Sequence, residues 1–182
     1  MHQTIILWVL LLASVAAAQE TKRGSYAGEE QREIKSLSAE EVEGLLNGNG
    51  MGLARVAELN HHPGPRHVLE LAAELRLTPL QRTQTQAAFE RMRGEAVRLG
   101  HLIVKHEREL DATFAKGEID TGRLHAATAE IARLQGDLRA AHLAAHLEMR
   151  RLLSPQQIAK YDELRGYAGG QKTNGRHDHG KH

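Results

Sequence analysis

Apolar residues recur every three or four positions through the second half of the chain, which is the spacing of one helix face. After Pro79 this spacing predicts a long helix that ends at about Ala115. Its apolar face comprises Phe89, Met92, Ala96, Leu99, Ile103, His106, Leu110 and Phe114. A second long helix is predicted to end at about Leu152. Its face comprises Leu124, Ala127, Ile131, Leu134, Leu138, Ala145 and Met149. Residues 116–120 form so short a turn that the two helices must lie antiparallel.

Each long helix is bordered by a helix-start motif. Residues 78–81 read Thr-Pro-Leu-Gln, which supplies an N-cap, a proline at the first helical position and a glutamine that closes a capping box. Residues 154–157 read Ser-Pro-Gln-Gln and repeat the arrangement. The second motif predicts a last helix that ends near Arg165.

The first half of the chain predicts shorter helices. Ser38 and Glu41 form a capping box, and Leu37 can pack onto Val42, which predicts a short helix through Leu46. Residues 47–50 read Asn-Gly-Asn-Gly and stop it. A further short helix is predicted over 51–59. Another begins at Arg66, where Val68, Leu69, Ala72 and Leu75 follow helical spacing.

The two ends of the chain differ from the middle. Residues 4–18 are uncharged and mostly apolar, with small residues before Gln19, as in a cleavable signal peptide. At about 15 residues the run is shorter than the roughly 20 that span a bilayer. We therefore predict a signal peptide over 1–18 and a periplasmic protein with no stable membrane insertion after cleavage. A flexible segment is expected over 19–36, a helical domain over 37–166 and a disordered, histidine-bearing tail over 167–182.

Composition narrows the function classes. Aromatic residues make up 3% of the chain, and helix-forming Ala, Leu, Glu, Arg and Gln dominate its middle. Such a chain favours long helices with a thin apolar seam, which often completes its core by dimerising. The 24 basic and 23 acidic residues are interleaved, so we expect no nucleic-acid binding. The chain has no cysteine, which excludes disulfides, thiolate metal ligands and cysteine nucleophiles.

The two capped motifs, residues 77–81 (Leu-Thr-Pro-Leu-Gln) and 153–157 (Leu-Ser-Pro-Gln-Gln), enclose one helical hairpin in a chain with a signal segment. This arrangement resembles the Spy/CpxP (LTxxQ) superfamily of periplasmic proteins, including its heavy-metal-resistance branch, over roughly residues 66–166. Serine replaces threonine in the second motif and keeps the capping oxygen. The resemblance implies an all-α, four-helix, cradle-shaped protomer that dimerises through its long helices. It implies either chaperone-like holding of unfolded envelope proteins or binding of divalent metal ions.

Histidine is the residue type that points most directly to chemistry. His142 and His146 are one helical turn apart, so both imidazoles can face one ion, and Met149 could add a thioether. On a helical wheel His142 lies beside the Leu138 face and His146 at its edge. The alternative is that both histidines only pack among alanines at a helix interface.

Other histidines are weaker candidates. The tail carries His177, His179 and His182 near an aspartate, a composition that can recruit zinc, copper or nickel. Without thiolates any bound metal should be exchangeable. His101 and His125 are predicted to be exposed and His106 to lie at the seam. The remaining cluster is His61, His62 and His67, around a proline-rich turn.

The leading hypothesis is a periplasmic, non-enzymatic protein of heavy-metal resistance and envelope stress, with metal ligands at His142, His146, His177, His179 and His182. No catalytic constellation appears: there is no phosphate-binding loop and no serine in a nucleophile-elbow context. One alternative is an ATP-independent chaperone for unfolded envelope proteins, with Arg91, Arg93 and Arg98 beside apolar residues. The other is a regulator that docks onto a membrane-bound stress sensor. A homodimer is expected in each case.

Overall fold

Between residues 24 and 168, two long antiparallel helices organise the fold, and four shorter α-helices pack around them. The computed structural model describes residues 24–168, and the chain divides after Glu30 into two units. Residues 25–28 form turns, and a 3-10 helix spans Glu29–Gln31. The α-helices that follow are α1 (Ala39–Leu46), α2 (Arg55–Glu58), α3 (Pro65–Glu70), α4 (Pro79–Ala115), α5 (Thr121–Leu152) and α6 (Pro155–Leu164). No strand occurs between residues 24 and 168, so the predicted all-α class is confirmed.

The boundaries of the hairpin agree with the sequence prediction. Helix α4 ends at Ala115, and α5 begins after Asp120, whose carboxylate accepts a hydrogen bond from the Arg123 backbone N–H at 2.8 Å. The capping boxes predicted at Ser38, Thr78 and Ser154 are all present. Such local signals fix a helix start because they satisfy backbone N–H groups that have no partner inside the helix.

The hairpin is closed by apolar packing in two separate clusters. The cluster nearer the α4–α5 turn joins α1 to both long helices. Its buried members are Ile34, Leu45, Ala96, Leu99, Ile103, Val104, Leu134 and Leu138. The cluster at the open end joins α3 and α6 to the hairpin. Its buried members are Val68, Leu75, Ala88, Met149, Leu153, Ile158 and Tyr161. The clusters bury the middle of the predicted apolar faces, including Leu99 and Ile103 of α4 and Leu134 and Leu138 of α5, and such burial is the main stabilising term of the fold.

Helix α1 approaches α4 through a glycine. A Cβ at Gly100 would overlap the carbonyl group of Leu45, so no side chain fits between the two backbones. Glycine inside a helix costs about 1 kcal/mol relative to alanine. The close approach offsets that cost because it buries Leu45 between the helices, with only 6% of its surface exposed.

The two capped motifs are bound directly to each other. The side-chain amides of Gln81 and Gln157 exchange two hydrogen bonds of 2.9 and 3.0 Å. Gln81 also donates to the Leu152 carbonyl, and Gln157 donates to the Leu75 carbonyl, each at 3.1 Å. We call this reciprocal arrangement the glutamine clasp. It holds the start of α4 against the start of α6 and fixes the open end of the hairpin.

Several sequence expectations need correction. Phe114 is 54% exposed, although it belongs to the predicted apolar face of α4; it lies three residues beyond Asp111, to which Lys35 is hydrogen-bonded. Ile34, within the segment expected to be flexible, is buried at 2% exposure. The helix predicted over 51–59 is confined to α2, because Met51 and Gly52 adopt left-handed backbone angles, with φ of 40° and 79°.

The predicted signal peptide over 1–18 lies outside the described residues, as does most of the tail. Within residues 24–168 no helix combines the length and the apolar character that crossing a membrane would require.

Candidate functional site

The histidine pair predicted on α5 lies on the buried face of that helix. His142 is 4% exposed and His146 is 8% exposed, and they follow the core residue Leu138 along the same stripe. The wheel placed His146 at the edge of the apolar face, but the chain preceding α3 covers it. Two imidazoles with this spacing on one helix face are brought close together.

A cavity of about 890 Å³ opens over the pair. Three parts of the chain form its walls: the loop 47–52, the segment 54–67 that contains α2, and α4, which contributes Phe89 and Met92. Arg165 and Tyr167, which follow α6, border it as well. The histidines therefore lie at the base of a recess rather than in a sealed core.

His146 is held in a defined orientation. Its Nδ1 lies 2.7 Å from the carbonyl oxygen of His62. A carbonyl only accepts hydrogen bonds, so Nδ1 must carry the proton, and the lone pair of the neutral ring is then on Nε2. Nε2 makes no hydrogen bond within residues 24–168. A Cβ at Gly64 would lie 3.1 Å from it, so the absence of a side chain there makes room for the ring.

His142 has no hydrogen-bond partner on either ring nitrogen among the described residues, and its Nε2 is completely buried. One of the two nitrogens therefore has a free lone pair in either neutral tautomer. Burial lowers the pKa of His142, and the neighbouring His146 lowers it further. The ring is thereby kept neutral, which is the form that binds metal ions.

Glu58 is the carboxylate nearest to the pair. One of its oxygens lies 3.6 Å from His146 Nδ1, and the other accepts a short hydrogen bond from the Tyr161 hydroxyl. Tyr167 and Arg165 approach the same oxygen at 3.3 and 3.6 Å. Burial and the adjacent carboxylate raise the pKa of Tyr161, so this phenol remains a donor. Glu58 thus links α2 to Tyr161 of α6 and to Arg165 and Tyr167, which follow that helix.

The sequence model of the heavy-metal resistance family matches residues 48–160, which is well over half of the chain. This protein belongs to the heavy-metal resistance family. The family is part of the Spy/CpxP-like helical superfamily, so the resemblance carried by the two motifs is confirmed. No curated protein and no solved structure matches the chain. The matched range includes the glutamine clasp and both buried histidines.

The other histidines of this family member do not join the pair. His61 Nδ1 contacts the Asp162 carboxylate at 2.7 Å, and His67 Nδ1 contacts Glu70 at 2.8 Å. His62 Nδ1 lies 2.7 Å from the Asn60 carbonyl oxygen. Between residues 24 and 168 no three His, Asp or Glu side chains are already gathered as a metal site. The structure therefore brings together two predicted ligands and leaves the loop histidines apart.

The remaining predicted residues fall elsewhere. His101 and His125 are exposed as expected, and His106 is half-buried 3.3 Å from Glu109. His177, His179 and His182 lie outside the described residues. Two arginines considered for a chaperone surface are in ion pairs, Arg91 with Glu148 and Arg98 with Glu95.

Sequence reasoning missed the residues that surround the pair. Glu58 and Gly64 lie against His146, and Tyr161 contacts Glu58, all from segments far away from the pair in the chain. Only Gly64, which stands between Pro63 and Pro65, could have been noticed in the sequence. Glycine often occurs where another group approaches the backbone closely. Glu58 gave no such signal, because it looks like an ordinary surface carboxylate.

Proposed function

We propose that this protein acts in heavy-metal resistance at the cell envelope, without catalysing a reaction, by binding a divalent transition metal at His142 and His146. Its membership of the heavy-metal resistance family supports the biological role. The periplasm is the proposed location, and a homodimer the proposed assembly. The histidines of the tail, His177, His179 and His182, are proposed as a second, weaker place of metal capture.

The observation that carries the proposal is a pair of buried imidazoles with lone pairs that no group within residues 24–168 uses. Leaving a buried polar atom without a partner costs about 1–3 kcal/mol. A ligand that accepts electron density from the ring nitrogens removes that cost. Imidazole suits zinc, nickel and copper, and the carbonyl that fixes His146 is the outer partner typical of metal-binding histidines.

Two imidazoles do not complete the coordination of any of these metals. Glu58 is the nearest further donor, but it is engaged with Tyr161 and Arg165. Water molecules that enter through the open cavity can supply the other positions. Such a site exchanges its metal readily, as expected for a protein that buffers or reports metal rather than one that needs it to fold.

The test is calorimetric titration of the full chain with zinc, nickel and copper. We expect at least one metal to bind with a Kd below about 100 µM, which corresponds to around −5.5 kcal/mol. The double variant His142→Gln/His146→Gln should weaken that binding at least about tenfold. The matched control, His101→Gln/His125→Gln, changes two exposed histidines and should have no effect.

The tail must be separated from the cavity in the same experiment. The triple variant His177→Gln/His179→Gln/His182→Gln keeps the buried pair and should retain the tighter binding event. If the triple variant abolishes all binding and the His142/His146 variant leaves it unchanged, the buried pair is not the metal site. If no metal binds to the unaltered chain, metal binding is to be abandoned altogether.

A second function is favoured by the exposed apolar residues next to the cavity. Met51, Val56 and Leu59 are 46%, 52% and 56% exposed, and Arg55 lies among them. Apolar side chains mixed with positive charge suit an ATP-independent chaperone for unfolded envelope proteins. Suppression of the aggregation of a chemically unfolded protein should then be reduced by Val56→Ser/Leu59→Ser. No suppression at excess protein would exclude this role.

A further inference from the structure

The cavity above the histidine pair is surrounded by positive charge. Arg55, Arg66, Arg93 and Arg165 line it, whereas Glu58 is the only carboxylate among its lining residues. Charges of one sign around a recess with protein walls concentrate the electric potential inside it. The recess therefore attracts anions, which is the opposite of what a cavity built only for metal cations would do.

Two of these four guanidinium groups are neutralised. Arg66 lies 3.3 Å from Glu70, and Arg165 lies 3.6 Å from Glu58. Arg55 and Arg93 form no ion pair with any residue between 24 and 168. Both arginines line the cavity beside the loop 47–52. A Cβ at Gly52 would be 3.1 Å from the Arg55 guanidinium, and the backbone of Arg93 lies against Gly48.

The size and lining of the cavity restrict the anion. A volume of about 890 Å³ lies in the range of roughly 300–1,000 Å³ that small organic ligands occupy, and an inorganic anion would leave most of it empty. Phe89 and Met92 of α4 provide an apolar wall. A ligand that fills this space needs a carbon skeleton in addition to negative charge.

We propose that this cavity is a binding site for a small organic acid with two or more carboxylates. One carboxylate pairs with Arg55 and another with Arg93, and the carbon chain between them packs against Phe89 and Met92. Guanidinium groups bind carboxylates through two parallel hydrogen bonds, which gives direction as well as charge recognition. Binding to the arginines needs no metal, so this site is independent of the function proposed for the histidines.

The test uses the full chain freed of metal on a chelating resin and titrated at low ionic strength with linear dicarboxylates from malonate to adipate. At least one member should bind with a Kd below about 1 mM. A monocarboxylate of the same chain length should bind at least about fivefold more weakly, because it can engage only one guanidinium. The length of the dicarboxylate that binds best indicates the distance between the two guanidinium groups.

Arg55→Gln/Arg93→Gln should weaken the best dicarboxylate at least about tenfold. The matched control is Arg139→Gln/Arg150→Gln, two exposed arginines of α5 that lie outside the cavity and form no ion pair within residues 24–168; it should leave the affinity unchanged. All four positions are exposed, and thermal unfolding checks that both variants fold.

Three results would overturn the proposal: no dicarboxylate binds at about 10 mM, inorganic phosphate binds as tightly as the best dicarboxylate, or the control variant weakens binding as much as the cavity variant. Because metal is removed, failure here leaves metal binding by His142 and His146 untouched. Failure of the metal titration likewise leaves this site standing.

Discussion

The glutamine clasp and the histidine pair lie near the same open end of the hairpin. They differ in how many of their polar side-chain atoms have hydrogen-bond partners. In the clasp, Gln81 and Gln157 use both their donors and their acceptors on each other and on nearby backbone. In the pair, neither nitrogen of His142 has a partner within residues 24–168, and His146 uses only one. The two glutamines are half-buried, and the two histidines are buried at the base of the recess.

This difference separates groups that hold the fold from groups that the proposed function assigns to a ligand. A fully paired polar network rigidifies the structure around it, whereas an unpaired buried group costs stability and persists where another molecule satisfies it. The helical scaffold thus places the glutamine clasp next to a recess whose two imidazoles are incompletely hydrogen-bonded among the described residues. A mutation in the glutamine clasp should lower stability without changing ligand binding. A mutation in the recess should change ligand binding and can raise stability.

The largest expected effect comes from breaking the clasp. Gln157→Met removes the bonds to Gln81, Leu75 and Ser154 and leaves their partners unsatisfied, so the free energy of unfolding should fall by about 2–3 kcal/mol. Urea denaturation measures the change. Gln156→Met alters the exposed neighbour and should change stability by less than about 0.5 kcal/mol. If both substitutions changed the free energy of unfolding equally, the glutamine clasp would not stabilise the fold.

Gly64→Ala tests the wall of the recess. The added Cβ would lie 2.9 Å from His146 Cε1, and should displace the ring and reduce stability by about 1–2 kcal/mol. Metal affinity should fall about tenfold, because the orientation set by His62 is lost. Gly94→Ala is the control: a Cβ there meets nothing within 4 Å, so this variant should gain about 0.5–1 kcal/mol. Unchanged metal affinity in Gly64→Ala would place the metal elsewhere.

His142→Leu should act in the direction opposite to Gln157→Met. It removes the unpaired Nε2 from the core, which should raise the free energy of unfolding by about 1 kcal/mol. Metal binding at the pair should be lost at the same time. His101→Leu, on the exposed face of α4, should stay within about 0.5 kcal/mol of the unaltered protein. A loss of stability in His142→Leu would mean that this histidine is a packing residue after all.

The parts of this comparison that the sequence predicts are those that depend on neighbours along the chain. Glutamines 81 and 157 were each predicted to close a capping box, because the box joins residues three apart. His142 and His146 were predicted to share a face because one helical turn separates them. The ends of α4 and α5 follow from the same local rules.

What the sequence does not predict depends on which segments meet in space. Nothing in residues 77–81 announces that Gln81 pairs with Gln157, 76 positions away. The contact of Gly100 with Leu45 is equally hidden, since an interior helix glycine reads only as a weak point in the helix. The recess itself exists because segment 47–67 folds over α5, and its left-handed residues Met51 and His61 have no distinctive local pattern.

Lowering the pH should affect the histidine pair and not the glutamine clasp, and it should produce the smallest of the expected changes in the free energy of unfolding. The pKa of His142 is lowered from an ordinary value of 6.5 by burial and by His146, so as the pH falls below about 6.5 the unfolded chain takes up a proton before the folded protein does. The free energy of unfolding is therefore highest above that pH, and it decreases as the pH falls through the folded pKa.

In metal-free protein, the free energy of unfolding should thus decrease between about pH 7.5 and 5.5 more steeply for the unaltered chain than for His142→Leu. Urea denaturation at each pH gives both slopes. The other charged groups facing the recess, including His146 and Glu58, are common to the two proteins, so the difference in slope reports the loss of His142 and of its electrostatic interaction with His146. Gln157→Met should keep the slope of the unaltered protein at a lower stability, because amides do not titrate. Identical slopes for His142→Leu and the unaltered chain would contradict the assignment of the unpaired ring as the sensitive group.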